Sequence, residues 1–431
     1  MNSINNPQSH TTSGMNVFID SNACKRRDVD IQKICTYLEE NKYTIVHDPK
    51  VANYIILMTC GVTNYTVNTS SKMIEKYRYY NAEMIVAGCF PETHRDRFEK
   101  MFSGKTLPVK NLDKIDELLP HVLIKFRDIP EVNTRWINLN NMSLRGVIRR
   151  IHTHASPIKK VDMFILNTII SKLFGENFYR TYPFDGLIPD TREYYIIISR
   201  GCIHNCTYCV IKKGVGRLHS KSPEQCVKEI SIGLQQGFQS FVLDADDLGP
   251  YGTDIGTNLP YLLNKVMEIK NPFRVRMNHA NPLWLIKYEP ELVDIFKQKK
   301  VNNIYAAIQS GNDRILRLMG RPYAINDVIS TLKAFKKSNN DLEIGVDLII
   351  GFPTETEEEF HDTLHLFDMI DFDYGDIFPF SGHEGTKANT FVPKLSKKMV
   401  DHRMKVMFRF LKKKNYFAMR FRNSSLYFYK R

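Results

Sequence analysis

Three cysteines within eight residues, Cys202-x3-Cys206-x2-Cys209, set the strongest constraint on this chain. They lie in Ser199-Arg-Gly-Cys-Ile-His-Asn-Cys-Thr-Tyr-Cys, directly after the apolar run Tyr194–Ile198. Three thiolates this close on a loop can hold three irons of a [4Fe–4S] cube and leave the fourth iron open. An open iron is what a reactive cluster needs, because a ligand can chelate it there. A loop that follows a strand sits at a strand C-terminal end, where barrel active sites lie. The competing reading is a zinc loop, with His204 or Cys226 as the fourth ligand.

The surrounding pattern supplies the strands. Candidate strands are Tyr194–Ser199, Ser240–Asp244, Arg274–Asn278, Asn303–Ile308, Glu343–Ile350 and Gly375–Phe380, with helical segments such as Pro223–Gln236 and Glu357–Ile370 between them. Six strand–helix units predict a partial or full β/α barrel over residues 191–395. Residues 15–120 alternate in the same way. Apolar runs at Val17–Ile19, Tyr54–Met58 and Met84–Ala87 are separated by amphipathic stretches at Ile31–Asn41 and Ser71–Tyr80. This predicts a smaller α/β domain built on a parallel sheet. Residues 1–14 read as a polar disordered leader. Residues 121–190 carry Arg135, Arg145, Arg149, Arg150, Lys159 and Lys160 among apolar positions, with a helical portion at Met163–Phe174, and read as a linker or inserted element. Residues 396–431 read as a basic amphipathic helix, Ser396–Arg420, and a short tail.

A second cysteine set lies in the smaller domain. Cys24, Cys60 and Cys89 each follow a predicted strand. Parallel strands place their C-terminal ends on one edge of the sheet, so three distant cysteines converge there. A lone cysteine is often only a small core residue; three at equivalent positions point to a second metal cluster. Cys35 and Cys226 fall within helical stretches and are expected to be structural.

The formal net charge is +13. A basic balance favours an anionic partner such as RNA, against the plain alternative of a lysine-solvated surface. No apolar run of about twenty residues predicts a membrane span, and the first residues lack the apolar core of a secretory signal. The expectation is therefore a reducing cytoplasm, where cysteines bind metal more often than they form disulfides.

Together the two cysteine triads resemble the radical S-adenosylmethionine methylthiotransferase family, over roughly residues 15–120 and 190–415. Further stretches are similar to that family: Asp347-Leu-Ile-Ile-Gly-Phe-Pro-Thr-Glu355, Gln309-Ser-Gly-Asn-Asp-Arg314 with Met319 and Arg321, and Phe378-Pro-Phe-Ser381 with Gly385-Thr386 and Ala388. Tyr251-Gly-Thr-Asp-Ile-Gly-Thr-Asn-Leu-Pro260 is most similar to the branch that modifies threonylcarbamoyl-adenosine in tRNA. The resemblance implies two [4Fe–4S] clusters. One, on Cys202, Cys206 and Cys209, chelates S-adenosylmethionine and generates a 5′-deoxyadenosyl radical. The other, on Cys24, Cys60 and Cys89, carries the sulfur to be transferred. It further implies an electron donor such as flavodoxin or ferredoxin.

Residues near the cofactor follow partly from the same resemblance and partly from their places on the strands. Tyr208 would pack near the adenine, and Gly351 would let the backbone approach it closely. Gln309 and Ser310 could hydrogen-bond the cofactor. Asp246 and Asp247 end another strand and are placed to touch cofactor or substrate, and Arg276, which alternates into the barrel with Arg274, is placed to pair with the cofactor carboxylate.

Several positions depart from the family. Ala23-Cys24 is followed by Arg27 where an asparagine is usual, Lys212 replaces a proline, Tyr305-Ala-Ala307 replaces His-x-Pro, and Asn281-Pro282 replaces His-Pro. The usual C-terminal basic β-barrel is not evident after residue 415. These departures make a peptide or protein side chain the first reading of the substrate, with tRNA as the alternative. The basic charge and the Tyr251–Pro260 stretch favour an adenosine next to a tRNA anticodon. Two other classes remain: a non-catalytic iron–sulfur scaffold, and a radical enzyme in which the second cluster only relays electrons.

Overall fold

The computed structural model describes residues 14–136, 193–421 and 425–430. The leader and most of the 121–190 segment, including the Met163–Phe174 stretch, lie outside the described residues. The chain divides into two compact units, one made of residues up to 61 with 66–132 and 136–140, the other of 62–65, 133–135 and the remainder.

The first unit is a five-stranded parallel sheet in the order β2-β1-β3-β4-β5. Its strands are β1 (Asn16–Ser21), β2 (Thr44–Val46), β3 (Tyr54–Thr59), β4 (Glu83–Gly88) and β5 (Lys105–Pro108). The central strand β3 reads YIILMT and is buried at all six positions, as expected of a parallel strand covered on both faces. The helix Lys25–Glu40 buries Ile31, Ile34, Cys35 and Leu38, the helical spacing of an apolar stripe. It starts six residues before the predicted Ile31, because its first turn, Lys-Arg-Arg-Asp, carries no apolar signal. Phe126 and Ile129 also join this core, with Phe126 edge-on to Tyr37 at 5.6 Å.

The second unit holds six parallel strands in the order β6-β9-β10-β11-β12-β13. They are β6 (Glu193–Ile197), β9 (Ser240–Asp244), β10 (Arg274–Ala280), β11 (Val301–Gln309), β12 (Glu343–Ile350) and β13 (Tyr374–Pro379). A short pair, β7 (Ser199–Arg200) and β8 (His219–Ser220), brackets the cysteine loop. In β12 Ile344, Val346, Leu348 and Ile350 are buried, while Asp347 and Ile349 between them are only partly so. This is the alternation of a strand with helices on one face and the barrel interior on the other. Among the described residues the sheet does not close, so the architecture is a partial barrel.

The C-terminal region departs from the sequence expectation. The helix runs Lys397–Lys413, not to Arg420. Asn415 takes a left-handed conformation (φ 63°), a common way to end a helix. Beyond it, β14 (Tyr416–Arg420) and β15 (Leu426–Lys430) pair antiparallel, and β15 pairs antiparallel with β13. Aromatic residues favour strands, and the segment carries Tyr416, Phe417, Tyr427, Phe428 and Tyr429. The pair covers the β13 edge, which would otherwise offer unpaired backbone groups.

Phe428 anchors this addition. It is fully buried, with ring centroids 5.3 Å from Phe367 and 5.2 Å from Tyr416. Phe428→Ala should destabilise the second unit by about 3–5 kcal/mol, read as a lower midpoint in urea unfolding. A midpoint within error of the parent would show that the strand pair is peripheral.

Candidate active site

The cysteine loop between β7 and β8 is positioned mainly through its backbone. Gly201 (φ +83°) has no room for a side chain: a Cβ there would lie 1.9 Å from the Arg217 carbonyl oxygen. Its N–H donates to Asp246 Oδ2 at 2.8 Å. Thr207 is held on several sides. Its N–H donates to the Met319 carbonyl (3.0 Å), its hydroxyl donates to the Leu318 carbonyl (2.7 Å), and its carbonyl accepts from Ala388 N–H (2.8 Å). Gly320 (φ +73°) lets that turn approach the loop: a Cβ there would be 3.1 Å from Asn205 O and 3.5 Å from Cys206 Cα. Lys212 Nζ donates to Asn205 Oδ1 (2.8 Å) and Ile203 O (3.3 Å).

The three thiols share one electrostatic environment. Burial pushes Cys202 up to about 12, and Asp247, Cys209 and Cys206 add to it. Burial likewise pushes Cys209 up to about 11, with Cys206 adding. Burial, with the neighbouring sulfurs behind it, therefore opposes the thiolate at Cys202 and Cys209, and bound cations offset that cost. That donor set fits an iron–sulfur cube. Among the described residues no three Cys, His, Asp or Glu side chains close around a single ion; a cube, which is larger, does not ask them to. The zinc reading loses its fourth ligands as well. His204 Nε2 lies 2.9 Å from Asp247 Oδ2 and 3.0 Å from the Trp284 indole nitrogen. One ring nitrogen can serve only one of these at a time. Cys226 is buried in the helix Pro223–Gln235.

The remaining candidates fall into two groups. Tyr208, Gln309, Ser310 and Gly351 lie on the cysteine loop or at the C-terminal ends of β11 and β12. The Tyr208 hydroxyl accepts from Arg321 Nη2 (2.8 Å), and Arg321 Nη1 donates to the Ala307 carbonyl (2.9 Å). Gln309 is left-handed (φ 77°), as is His279 (φ 59°) near the end of β10. Such conformations in residues other than glycine are strained and gather at functional sites. Ser310 Oγ accepts from Asn312 N–H (3.2 Å), so its hydroxyl also shapes the turn. Gly351 (φ +82°) has Val400 where a Cβ would go, at 2.7 Å.

Arg276 and Asp246 are engaged within the protein. Arg276 Nη1 donates to Glu193 Oε1 (2.6 Å) and Nη2 to the Tyr374 hydroxyl (3.5 Å). Glu193 and Tyr374 are the first residues of β6 and β13, so this guanidinium serves the opposite end of the strands from the cysteine loop. Asp246 ties down Gly201 and acts as a positioning group for the loop.

Sequence reasoning did not find Glu355 and Arg403. Glu355 Oε2 accepts from Gly351 N–H (2.8 Å) and from Arg403 Nη1 (2.7 Å), both side chains being buried. Burial pushes Glu355 up to about 7 against the pull of Gly351 and Arg403. The signal was the Glu closing the Asp347–Glu355 stretch; its partner lies 48 residues away.

In the first unit, Cys24, Cys60 and Cys89 follow β1, β3 and β4, which are neighbours in the sheet. Cys24 immediately precedes the helix Lys25–Glu40 and is exposed; Cys60 and Cys89 are buried. The strand ends are tied together. Cys89 N–H donates to Thr59 O (2.9 Å), and Cys60 N–H donates to Asn22 Oδ1 (3.1 Å). Gly88 (φ +101°) has no room for a Cβ, which would lie 2.2 Å from Thr59 O. Three thiols on adjacent strand ends suit a second cube.

Arg321→Met should remove the guanidinium donor from the half-buried Tyr208 hydroxyl and Ala307 carbonyl. The expected cost is about 2–5 kcal/mol, with less iron retained after anaerobic reconstitution. Unchanged stability and iron content would show that the Arg321–Tyr208 bond does not hold the loop.

The comparisons with known proteins agree with this geometry. Residues 196–367 match the Radical SAM superfamily, and residues 16–108 match Uncharacterized protein family UPF0004. A probable threonylcarbamoyladenosine tRNA methylthiotransferase of Pyrococcus abyssi is 29% identical over 373 residues, 86% of this chain and 78% of that protein. Ribosomal protein uS12 methylthiotransferase RimO of Protochlamydia amoebophila is 27% identical, covering 88% of this chain and 73% of its own. The radical S-adenosylmethionine methyltransferase TsrM of Kitasatospora setae shares the fold at a TM-score of 0.56 and 13% identity, over 87% of this chain and 77% of that one. Two cysteine-bearing units, each matched by its own family and both spanned by methylthiotransferase relatives, place this chain in the radical S-adenosylmethionine methylthiotransferase family.

Proposed function

We propose that this enzyme is a tRNA methylthiotransferase acting on a modified adenosine next to the anticodon. The observation that carries this reading is the match to the P. abyssi tRNA enzyme over 86% of the chain. The threonylcarbamoyl-adenosine-like stretch Tyr251–Pro260 and the net charge of +13 support it.

Three of the departures that favoured a peptide substrate have structural explanations. Lys212 braces the cysteine loop. Asn281 caps the helix Pro282–Lys287 through its side chain, and its N–H donates to Asp247. Arg27 is buried against Asp30 at 2.7 Å. These replacements hold backbone in place, so they are weak evidence for a changed substrate. Tyr305 is different. Its hydroxyl lies between Asp347 (2.6 Å) and Asp376 (3.0 Å), inside the partial barrel. The uS12 relative keeps a protein substrate as the second reading.

In this proposal Cys202, Cys206 and Cys209 hold one cluster, and Cys24, Cys60 and Cys89 hold the other. With S-adenosylmethionine bound, the pair supplies hydrogen abstraction from carbon and the sulfur that replaces the hydrogen. The chain's own residues prepare the site. Thr207, Asp246 and Lys212 fix the cysteine loop. Tyr208 offers an aromatic face whose hydroxyl is fixed by Arg321. Gly351 lets Val400 pack close at the rim, where the family places the adenine.

The test separates the two triads. Anaerobic reconstitution should give about eight irons per chain, and about four in the Cys202/Cys206/Cys209 triple alanine variant. Cys24→Ala should still release 5′-deoxyadenosine but leave tRNA unmodified, while the triple variant should do neither. The readouts are nucleoside chromatography and the mass gain of one methylthio group in digested tRNA. Sulfur transfer by Cys24→Ala would overturn the division of labour. A mass gain on a uS12 peptide and none on tRNA would overturn the substrate.

A further inference from the structure

The helix Lys397–Lys413 carries a feature that the proposed chemistry does not use. Its buried side holds Arg403, Met404, Met407 and Leu411. Its outward side presents Lys398, His402, Lys405, Arg409 and Lys412, all exposed, with exposed Lys413 beside them. The spacing of four, three, four and three keeps these side chains on one face. The row spans roughly 20 Å, about one cation per 5 Å of helix axis.

This row meets no counter-charge among the described residues. Among the described residues Lys398, Lys405, Arg409, Lys412 and Lys413 have no carboxylate partner; Lys412 lies over the Phe408 ring at 4.5 Å. Nearby carboxylates are engaged by residues on other faces. Glu355 and Glu357 bind Arg403, Asp368 binds Lys414, and Asp401 binds Arg420 at 3.2 Å. A solvated basic helix ordinarily mixes signs or pairs its charges. Here the pairs fix the helix and leave one uncompensated line of cations.

The row also starts at the active rim. Val400, two residues after Lys398, lies where a Gly351 Cβ would go. Lys414, at the other end, pairs with Asp368, which is in the last turn of the helix Glu357–Met369 and so near the opposite end of the strands. The cations therefore run down the outside of the partial barrel from its mouth.

We propose that this face binds the phosphate backbone of the tRNA whose adenosine enters the barrel mouth. The inference rests on the tRNA reading above. A polyanion held at the mouth by one nucleotide continues past it, and an unpaired cation line starting at the mouth suits that continuation. An acidic protein surface is the other chemistry that such a face fits.

The experiment measures binding of the reconstituted holoenzyme to a fluorescently labelled tRNA bearing an adenosine beside the anticodon, as a function of salt. It compares the parent, the variant Lys398→Gln/Lys405→Gln/Arg409→Gln/Lys412→Gln, and a control, Lys333→Gln/Lys337→Gln, on the helix Ile325–Ser338. Polyglutamate serves as the competing acidic probe. The four-site variant should bind tRNA on the order of tenfold or more weakly near physiological salt, and its slope of log affinity against log salt should shrink by about 3. The control should match the parent. All substituted residues are exposed, and circular dichroism with iron content verifies that each variant folds and loads. Equal affinity and slope in parent and four-site variant would overturn the docking face and leave the tRNA reading standing. Loss of polyglutamate binding with tRNA binding intact would give the face to an acidic protein and overturn the proposal. No tRNA binding by the parent at low salt would overturn both.

Discussion

Burial of thiols on one short loop is the constraint on which the rest of the second unit depends. Cys202, Cys206 and Cys209 must all become thiolates to hold a cube, yet burial first, and repulsion from neighbouring negative charges second, hold the Cys202 and Cys209 thiols up. A loop free to spread would relieve that repulsion by moving the sulfurs apart. The fold prevents this through the backbone: the Gly201–Asp246 bond at one end and three hydrogen bonds at Thr207 in the middle. The clamps come from the ends of several strand–helix units, so the loop is assembled only when those units are packed together.

The same logic explains the crowd of unusual backbone conformations at the strand C-terminal ends. Gly201, His279, Gln309, Gly351 and Thr354 all have positive φ. Three of these are not glycines. Thr354 is held by Arg314, which donates to its carbonyl at 2.8 Å and pairs with Glu359. Conformations of this kind persist where surrounding contacts over-determine them. Three of the non-glycine positive-φ residues of the barrel gather at the rim where chemistry is expected, while Lys299 and Asn415 lie away from it.

Much of this was legible in the sequence because it depends on short-range pattern. The six parallel strands of the barrel were marked by apolar runs, and both cysteine sets by their position after strands. What escaped was long-range or conformational. The Tyr416–Lys430 strand pair was read as the end of a helix and a tail. Its aromatic alternation is short, and its stability comes from pairing with β13 and packing on Phe367. Arg276 was assigned to the cofactor from its alternation into the barrel, but period-two reasoning says which face a residue takes, not how far along the strand it lies. Its partner Glu193 is 83 residues away. Lys212 and Asn281 looked like substrate changes because spacing alone cannot show that a side chain turns back onto its own loop.

The Glu355 carboxylate joins two parts of the molecule that would otherwise be described separately. One oxygen receives both the Gly351 N–H from the rim and the Arg403 guanidinium from the outer helix, and Val400 on that helix fills the space above the same glycine. Rim and helix therefore behave as a single mechanical piece, like a strut footed on a hinge plate. A substitution on the buried side of the helix would register at the rim as a cofactor-site lesion. A genetic screen reading only activity would then mistake an architectural defect for a chemical one.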